Sequence, residues 1–465
     1  MEDLQNQDLI AKATGQAEHI TAAFGREKIA ILTEYSDDGG IEFMYAAGHI
    51  LVRDSHLGEV QAILGQPEGF VHVTRVIEGI VTLSLVKAGK NPRLKVRAGR
   101  QPTVIEAVAA SDEEFGEGIV TPDQVLTVDP SVPCPATEPE PAYADMEPYP
   151  GICTENSGEG VVVYVADTGL LEDAAATHPW LAGVRRARTP DGQDQDWDPT
   201  RWQDPAVNES LIPPYCAHGT FVAGVIRCQA PRATVIVARI FRFAGSSLES
   251  QFVRELEAAL RIGVDIFNLT ISAPTRHSRP LVAFAQWLKL LNQYKGVVCV
   301  VSAGNSGSNR WSWPAAFPTV VSVGALAANW RDRARFSNYG GWVDVYAPGR
   351  DLINAYTTGP YRCHDAPYTG EIRNFHGMAR WSGTSFSTPI VTGLIAARMW
   401  RTGENGKEAA AALLREARSQ AIPGVGPILL PCDQRSTGCG CDHRSNRCGC
   451  DYRSDRCGCE HRSDR

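Results

Sequence analysis

Residues 159–425 predict an α/β fold built on a mainly parallel central sheet. The first observation is a set of apolar runs, Val161–Ala166, Val235–Ile240, Asp265–Ile271 and Val297–Val301, each of strand length. The second is that helical patterns, Leu248–Arg261 and Pro280–Tyr294, fall between them. Strands buried on both faces read as unbroken apolar runs, and strand–helix–strand repetition places helices over both faces of a parallel sheet. Thr177–Pro214, rich in Trp, Asp and Pro, reads as a long loop insertion.

The flanks differ in texture. Residues 1–128 predict a smaller α+β unit, with short β-like runs at Lys28–Thr33, Ile41–Tyr45, Ile50–Val52 and Ile80–Val86 and a helical stretch at His56–Leu64. Residues 129–158 form an acidic linker with prolines at 130, 133, 135, 139, 141, 148 and 150 and no Lys or Arg. Such a segment is expected to be extended and exposed. Residues 426–465 form a tail of nine-residue copies beginning at Cys439, Cys448 and Cys457, with a decayed copy over Leu430–Gly438. It has no apolar period, so it is expected to be disordered.

Composition narrows the function. A net charge of −8 and a pI near 5.8 give no reason to expect a nucleic-acid or anionic-membrane partner. No apolar stretch is long enough to cross a membrane. Met1–Gln7 lacks the basic start and apolar run of a secretory signal, so the expected location is cytoplasmic, with secretion by another route left open. In that reducing setting Cys134, Cys153, Cys216, Cys228, Cys299 and Cys363 are expected to be mostly free thiols, Cys299 as a buried small hydrophobe.

Four segments carry chemistry. Asp167-Thr168-Gly169 ends an apolar strand, placing a carboxylate where crevices form in open α/β sheets. His218-Gly219-Thr220 opens a helix and supplies a base that titrates near neutrality. Ala303-Gly304-Asn305 follows another strand and offers a side-chain amide to a developing oxyanion. Gly383-Thr384-Ser385, before the apolar helix Ile390–Trp400, puts a hydroxyl where free backbone N–H groups favour negative charge. Taken singly, each has a plain structural reading as a turn, a helix cap or a structural histidine. Four in this order are specific.

Together these motifs, with Val222-Ala223-Gly224 and Ser387-Thr388-Pro389, resemble the subtilisin-like serine proteases over roughly residues 159–402. The order Asp, His, Ser agrees with that family. The resemblance implies a three-layer domain and a serine endopeptidase acting through an acyl-enzyme on Ser385. His218 would be general base and acid, Asp167 would orient it, and Asn305 would sit in the oxyanion hole. It implies substrate contacts from Gly245, Thr270, Ile271, Ser272, Ser302, Ala303 and Gly304. The expected partner is a protein or peptide substrate. No cofactor and no metal in the site are expected, and residues 1–128 stand where such enzymes carry an intramolecular inhibitor. One departure is visible: Thr270-Ile271-Ser272-Ala273 replaces a glycine-bearing stretch beside the substrate, which leaves cleavage preference unread. Two rival readings remain, a catalytically silent fold used for binding and a metal- or thiol-binding protein acting through its Cys-Gly-Cys tail, where Cys pairs with His443 and His461 offer soft ligands.

Overall fold

The computed structural model describes residues 15–432, except residue 16, segments 37–39, 66–71, 88–99, 129–135, 188–201, 205–208 and 242–244, and residue 366. The tail repeats, with any metal or thiol role for them, lie outside the described residues, as does most of the Thr177–Pro214 insertion.

The central sheet has seven strands in the order Val345–Pro348, Val321–Leu326, Val298–Ser302, Ile266–Leu269, Val162–Asp167, Thr234–Arg239, Arg185–Arg186. Every neighbouring pair is parallel. On one face pack the helices His218–Gln229, Thr384–Thr402 and Gly406–Ser419, whose Phe221, Ile390, Leu394 and Leu413 join a single buried cluster with Val163, Val165 and Val300. On the other face Glu249–Ala259 and Val282–Leu291 bury Phe252, Leu256, Phe284 and Trp287 against Tyr164, Phe267 and Val301. The expected three layers are therefore present. The strands Val321–Leu326 and Val345–Pro348 and the helix Gly406–Ser419 add to the expected set. Chain order cannot reveal them as sheet members, because a run acquires that role only when a neighbour completes its ladder.

Residues before 128 fold as an antiparallel sheet carrying helices on one face. Ile41–Arg53 is one strand where two were expected; Gly48, at φ 85, lies within it, and the pairing register shifts between Tyr45 and Ile50. The helix Val104–Phe115 was not anticipated, although its start signal is in the sequence. Thr103 and Glu106 form a reciprocal capping box, and Val104, Ala107, Val108 and Ser111 recur at helical spacing on the buried side. The other sheet face, through Leu51, Val76, Ile77, Ile80 and Leu126, joins the cluster around Phe252 and Phe284. This unit is thus seated on the two helices that cover the second face of the large sheet.

Two expectations need correction. Cys153 is not a free thiol. It is disulfide-bonded to Cys432, 279 residues later, and ties the start of the α/β domain to its end. Local spacing gives no hint of such a distant pair. Cys216, Cys228, Cys299 and Cys363 are buried and not disulfide-bonded, Cys299 as the small hydrophobe expected of it, and Cys134 lies outside the described residues. The linker, from residue 136 on, is extended but not free. Glu138 is 5% exposed, Glu140–Pro141 pairs with the strand Ile372–Trp381, and Tyr149 exchanges backbone hydrogen bonds of 2.8 and 2.9 Å with Ile353. Composition reports how little apolar surface a segment has, not which grooves its backbone can fill. Among the described residues no helix is long and apolar enough to cross a membrane.

Candidate active site

Asp167 is the last residue of the strand Val162–Asp167, at the carboxyl end of the sheet. His218 is the first residue of the helix His218–Gln229, entered through Ala217 in the left-handed region at φ 63. Between them stands Gly219. A Cβ there would lie 2.5 Å from the Gly169 carbonyl oxygen and 3.1 Å from Asp167 Cβ, so only glycine lets the helix approach the strand end this closely. The result is a fully buried pair, with His218 Nδ1 2.8 Å from Asp167 Oδ1 and 3.0 Å from Oδ2.

The carboxylate is held by two more donors. The Thr168 amide donates to Oδ1 at 2.7 Å and the Thr270 hydroxyl to Oδ2 at 2.7 Å. A carboxylate accepting several hydrogen bonds is fixed in place. Thr270, expected beside substrate, thus spends its side chain on the acid. His218 Nε2 and Ser385 Oγ are buried and take no protein partner. The imidazole packs 5.2 Å from the ring of Phe386, the residue after Ser385, and edge-on at 5.5 Å to Trp381.

Ser385 is the second residue of the helix Thr384–Thr402. First-turn N–H groups have no intrahelical acceptor and carry the positive end of the helix dipole. Asn305 lies at this turn. Its Oδ1 accepts from the Thr384 amide at 2.8 Å and the Thr384 hydroxyl at 2.9 Å. With the oxygen committed to two donors, the NH₂ end of the amide is the end left to donate. Thr384 also accepts the Gly304 amide at 3.2 Å, and Asn338 holds the same loop through the Ala303 carbonyl, Nδ2 to O 2.8 Å. Thr168 and Thr384 belong to the motifs, and Asn338 to the family-like segment Phe336–Gly340, but none was given a role from sequence; Asn338, 33 positions from Asn305, is brought to it only by folding. Replacing Asn305 with Ala is expected to lower kcat by about 100- to 1000-fold with little change in KM, read by steady-state hydrolysis of a peptide amide.

Two of the remaining expected substrate contacts, Gly245 and Ser272, hold a strand of the chain itself. Ser246–Leu248 pairs antiparallel with residues 125–127. From the other side Ser272 exchanges hydrogen bonds with Thr127, 3.0 and 3.3 Å, and the Gly245 carbonyl accepts the Val128 amide at 2.9 Å. The backbone at 272 therefore still pairs without a glycine. Ile271 accepts from the Ser302 hydroxyl at 3.3 Å, which ties the groove wall to the strand carrying Ala303 and Gly304. A peptide added as a strand between two protein edges is a mode of substrate recognition in its own right.

Fold and site together define a three-layer α/β domain with an ordered Asp–His pair at the carboxyl end of a parallel sheet, a serine at a helix start, and edges at Gly245 and Ser272 that pair with extended backbone. The chain belongs to the subtilase family, whose model matches residues 158–427. It is 30% identical over 299 residues to a thermophilic serine proteinase of Bacillus sp. (strain AK1), covering 62% of each chain. It is 29% identical over 249 residues to Subtilisin Savinase of Lederbergia lenta, covering 52% of this chain and 76% of that one. The chain thus spans less than two thirds of the length of the first of these relatives. Among solved structures it is similar to a cold-adapted subtilisin-like serine proteinase, with TM-score 0.46 and 22% identity over 60% of this chain and 91% of that one. It is also similar to the prenylagaramide maturation protease PagA, with TM-score 0.42 and 25% identity over 56% and 84%.

Proposed function

We propose that this chain is a serine endopeptidase and that residues up to Val128 are its intramolecular inhibitor. The observation that carries the first part is the buried Asp167–His218 pair. The carboxylate holds Nδ1 as a donor, so Nε2 is the basic nitrogen, available to take a proton from Ser385. Ser385 Oγ attacks the scissile carbonyl, its proton passing to Nε2. The tetrahedral oxyanion is held by Asn305 and the Ser385 amide. The proton then passes to the leaving amine, and water repeats the sequence on the acyl-enzyme.

The inhibitor reading rests on Thr127 and Val128, which fill the groove as a bound peptide would, and on the burial of both Ser385 and His218 in the full chain. A fluorophosphonate probe tests both. Labelling of a shortened chain, absent in Ser385→Ala, is the expected result. Failure to label any mature form would overturn the enzyme reading in favour of a silent binding fold. An intact chain that is fully active would overturn only the inhibitor.

The docked unit has a pH-sensitive contact. Asp123, fully buried, accepts from the Ser250 amide at 3.0 Å and lies 2.8 Å from His49 Nε2. Burial opposes charging of His49, but the hydrogen bond and charge of Asp123 prevail and raise its pKa. On the domain side, burial, together with the Asp123 charge and against the Phe284 and Ala283 amides, pushes Glu249 up to about 8. His49 binds its proton more tightly in the folded N-terminal unit, and Glu249 in the docked chain, than either does in the unfolded one. The His49 contribution is present below the pKa of the free imidazole and lost as pH rises through the raised value. The Glu249 carboxyl likewise disfavours docking progressively up to about pH 8. In Ser385→Ala, the melting transition of the N-terminal unit is expected to fall between pH 6 and 8.5, and to fall less in the additional variant His49→Gln. Scanning calorimetry across that range is the check; a transition that rises with pH contradicts it.

A further inference from the structure

The segment Thr137–Ala142 is held against the hairpin Leu352–Arg362/Ile372–Trp381 by contacts along its length. The Trp381 indole donates to the Thr137 carbonyl at 2.7 Å. The Glu138 carboxylate, almost wholly buried, accepts from the Tyr361 hydroxyl at 3.1 Å and the His364 amide at 2.6 Å. Arg373 donates to the Pro139 carbonyl at 3.0 Å. Glu140 and Pro141 pair antiparallel with Arg380 and Ala379, and the Ala142 amide donates to Met378 at 3.2 Å. Burial, and then the Glu138 charge, push the neighbouring Cys363 thiol up to about 12.

The direction of this segment matters. The strand Ile372–Trp381 runs toward the nucleophile, ending four residues before Ser385. A segment antiparallel to it therefore runs away from Ser385. The strand ending at Thr127 lies on the other flank, in the groove of Gly245 and Ser272. The segment thus starts beside Trp381, whose indole packs edge-on against His218, and leads away from Ser385 on the flank opposite Thr127. Downstream, the segment is fastened to the domain by the Tyr149–Ile353 pair and by the Cys153–Cys432 disulfide. Removal of residues up to Val128 would leave those fastenings intact.

We propose that Thr137–Ala142 is a permanent strand of the mature enzyme, anchored by Glu138, that fills the leaving-group side of the cleft and makes the enzyme select substrates by their acyl side. This rests on the endopeptidase reading above. Glu138 is then a specificity-determining residue: it touches no reacting atom, but it holds the strand that a long leaving group must displace. Trp381, which the strand also grips, is the side chain packed edge-on against His218.

The test uses the processed full-chain product and two peptides with the same acyl side. One ends in a single small chromogenic amine; the other continues for five residues. In the native enzyme the ratio of kcat/KM, long over short, is expected to be near or below one. In Glu138→Leu the ratio is expected to rise about 10-fold, because the two hydrogen bonds that must be given up on displacement are charge-assisted or buried. Tyr361→Phe, a milder change, is expected to move the ratio the same way by a smaller amount. Intact mass of the processed chain should place its first residue before Thr137. A processed chain that labels with fluorophosphonate but begins beyond Ala142, or a ratio unmoved by both variants, overturns the proposal while the peptidase reading stands. A processed chain that labels with nothing and cleaves neither peptide overturns both.

Discussion

Ser385→Ala is expected to lower peptide turnover by about 10⁶-fold and to leave the chain at full length. The magnitude is that of removing the nucleophile from a triad that acts as a unit, where the residual rate comes from the oxyanion donors and substrate binding alone. The second outcome follows from the position of residues 125–128 in the groove. If processing is the chain's own act, the variant cannot perform it. The variant should fold normally, because Ser385 Oγ takes no protein partner whose loss would be felt. Intact-mass analysis of wild type and variant after parallel purification reads both predictions. A variant that shortens at the wild-type rate would assign the cleavage to another protease.

Asp167→Asn is expected to cost about 10⁴-fold in kcat with KM nearly unchanged. Every neighbour of this carboxylate is a donor: the Thr168 amide, the Thr270 hydroxyl and His218 Nδ1. An amide in its place must turn an NH₂ toward one of them. The Thr168 amide can only donate and so holds the single oxygen at the Oδ1 position, whereas the Thr270 hydroxyl can turn to accept from an NH₂ at the Oδ2 position, 3.0 Å from His218 Nδ1, which leaves NH₂ facing the imidazole. Nδ1 then becomes the acceptor, Nε2 carries the proton, and Nε2 can no longer act as the proposed base toward Ser385. The buried environment of the pair, fully closed to solvent at both residues, denies water the chance to compensate. Thermal melting should show a modest change beside the kinetic one, because the geometry persists. A large loss of stability with proportionate loss of activity would mean that the acid serves the fold.

Much of this was legible in the chain itself. The four motifs are local: each needs a strand end or a helix start beside a few small residues, and that pattern is visible in a window of ten. The apolar runs gave four of the seven strands of the large sheet to within a residue or two, because burial on both faces leaves an unbroken signature. The reading was silent where partners are distant in sequence. Thr270 was expected beside substrate, but nothing local indicates that its hydroxyl reaches Asp167, 103 residues away. The segment Phe336–Gly340 resembles the family, yet only folding shows that its Asn338 steadies the loop of Asn305, and Trp381, which packs on His218, has no local mark of function.

The sequence alone determined the chemistry: an acid, a base, an amide donor and a nucleophile, each set at the end or start of an element by residues next to it. Only tertiary structure decided what surrounds that chemistry. Packing placed Thr127 between Ser246 and Ser272, folded a linker of prolines and acids onto a hairpin through a buried Glu138, and joined Cys153 to Cys432. The physical reason is the same in each case. A catalytic residue type is a local property of a side chain and its turn, whereas access to it depends on which backbone edges remain unpaired, and an edge is free or filled only once the rest of the chain has folded.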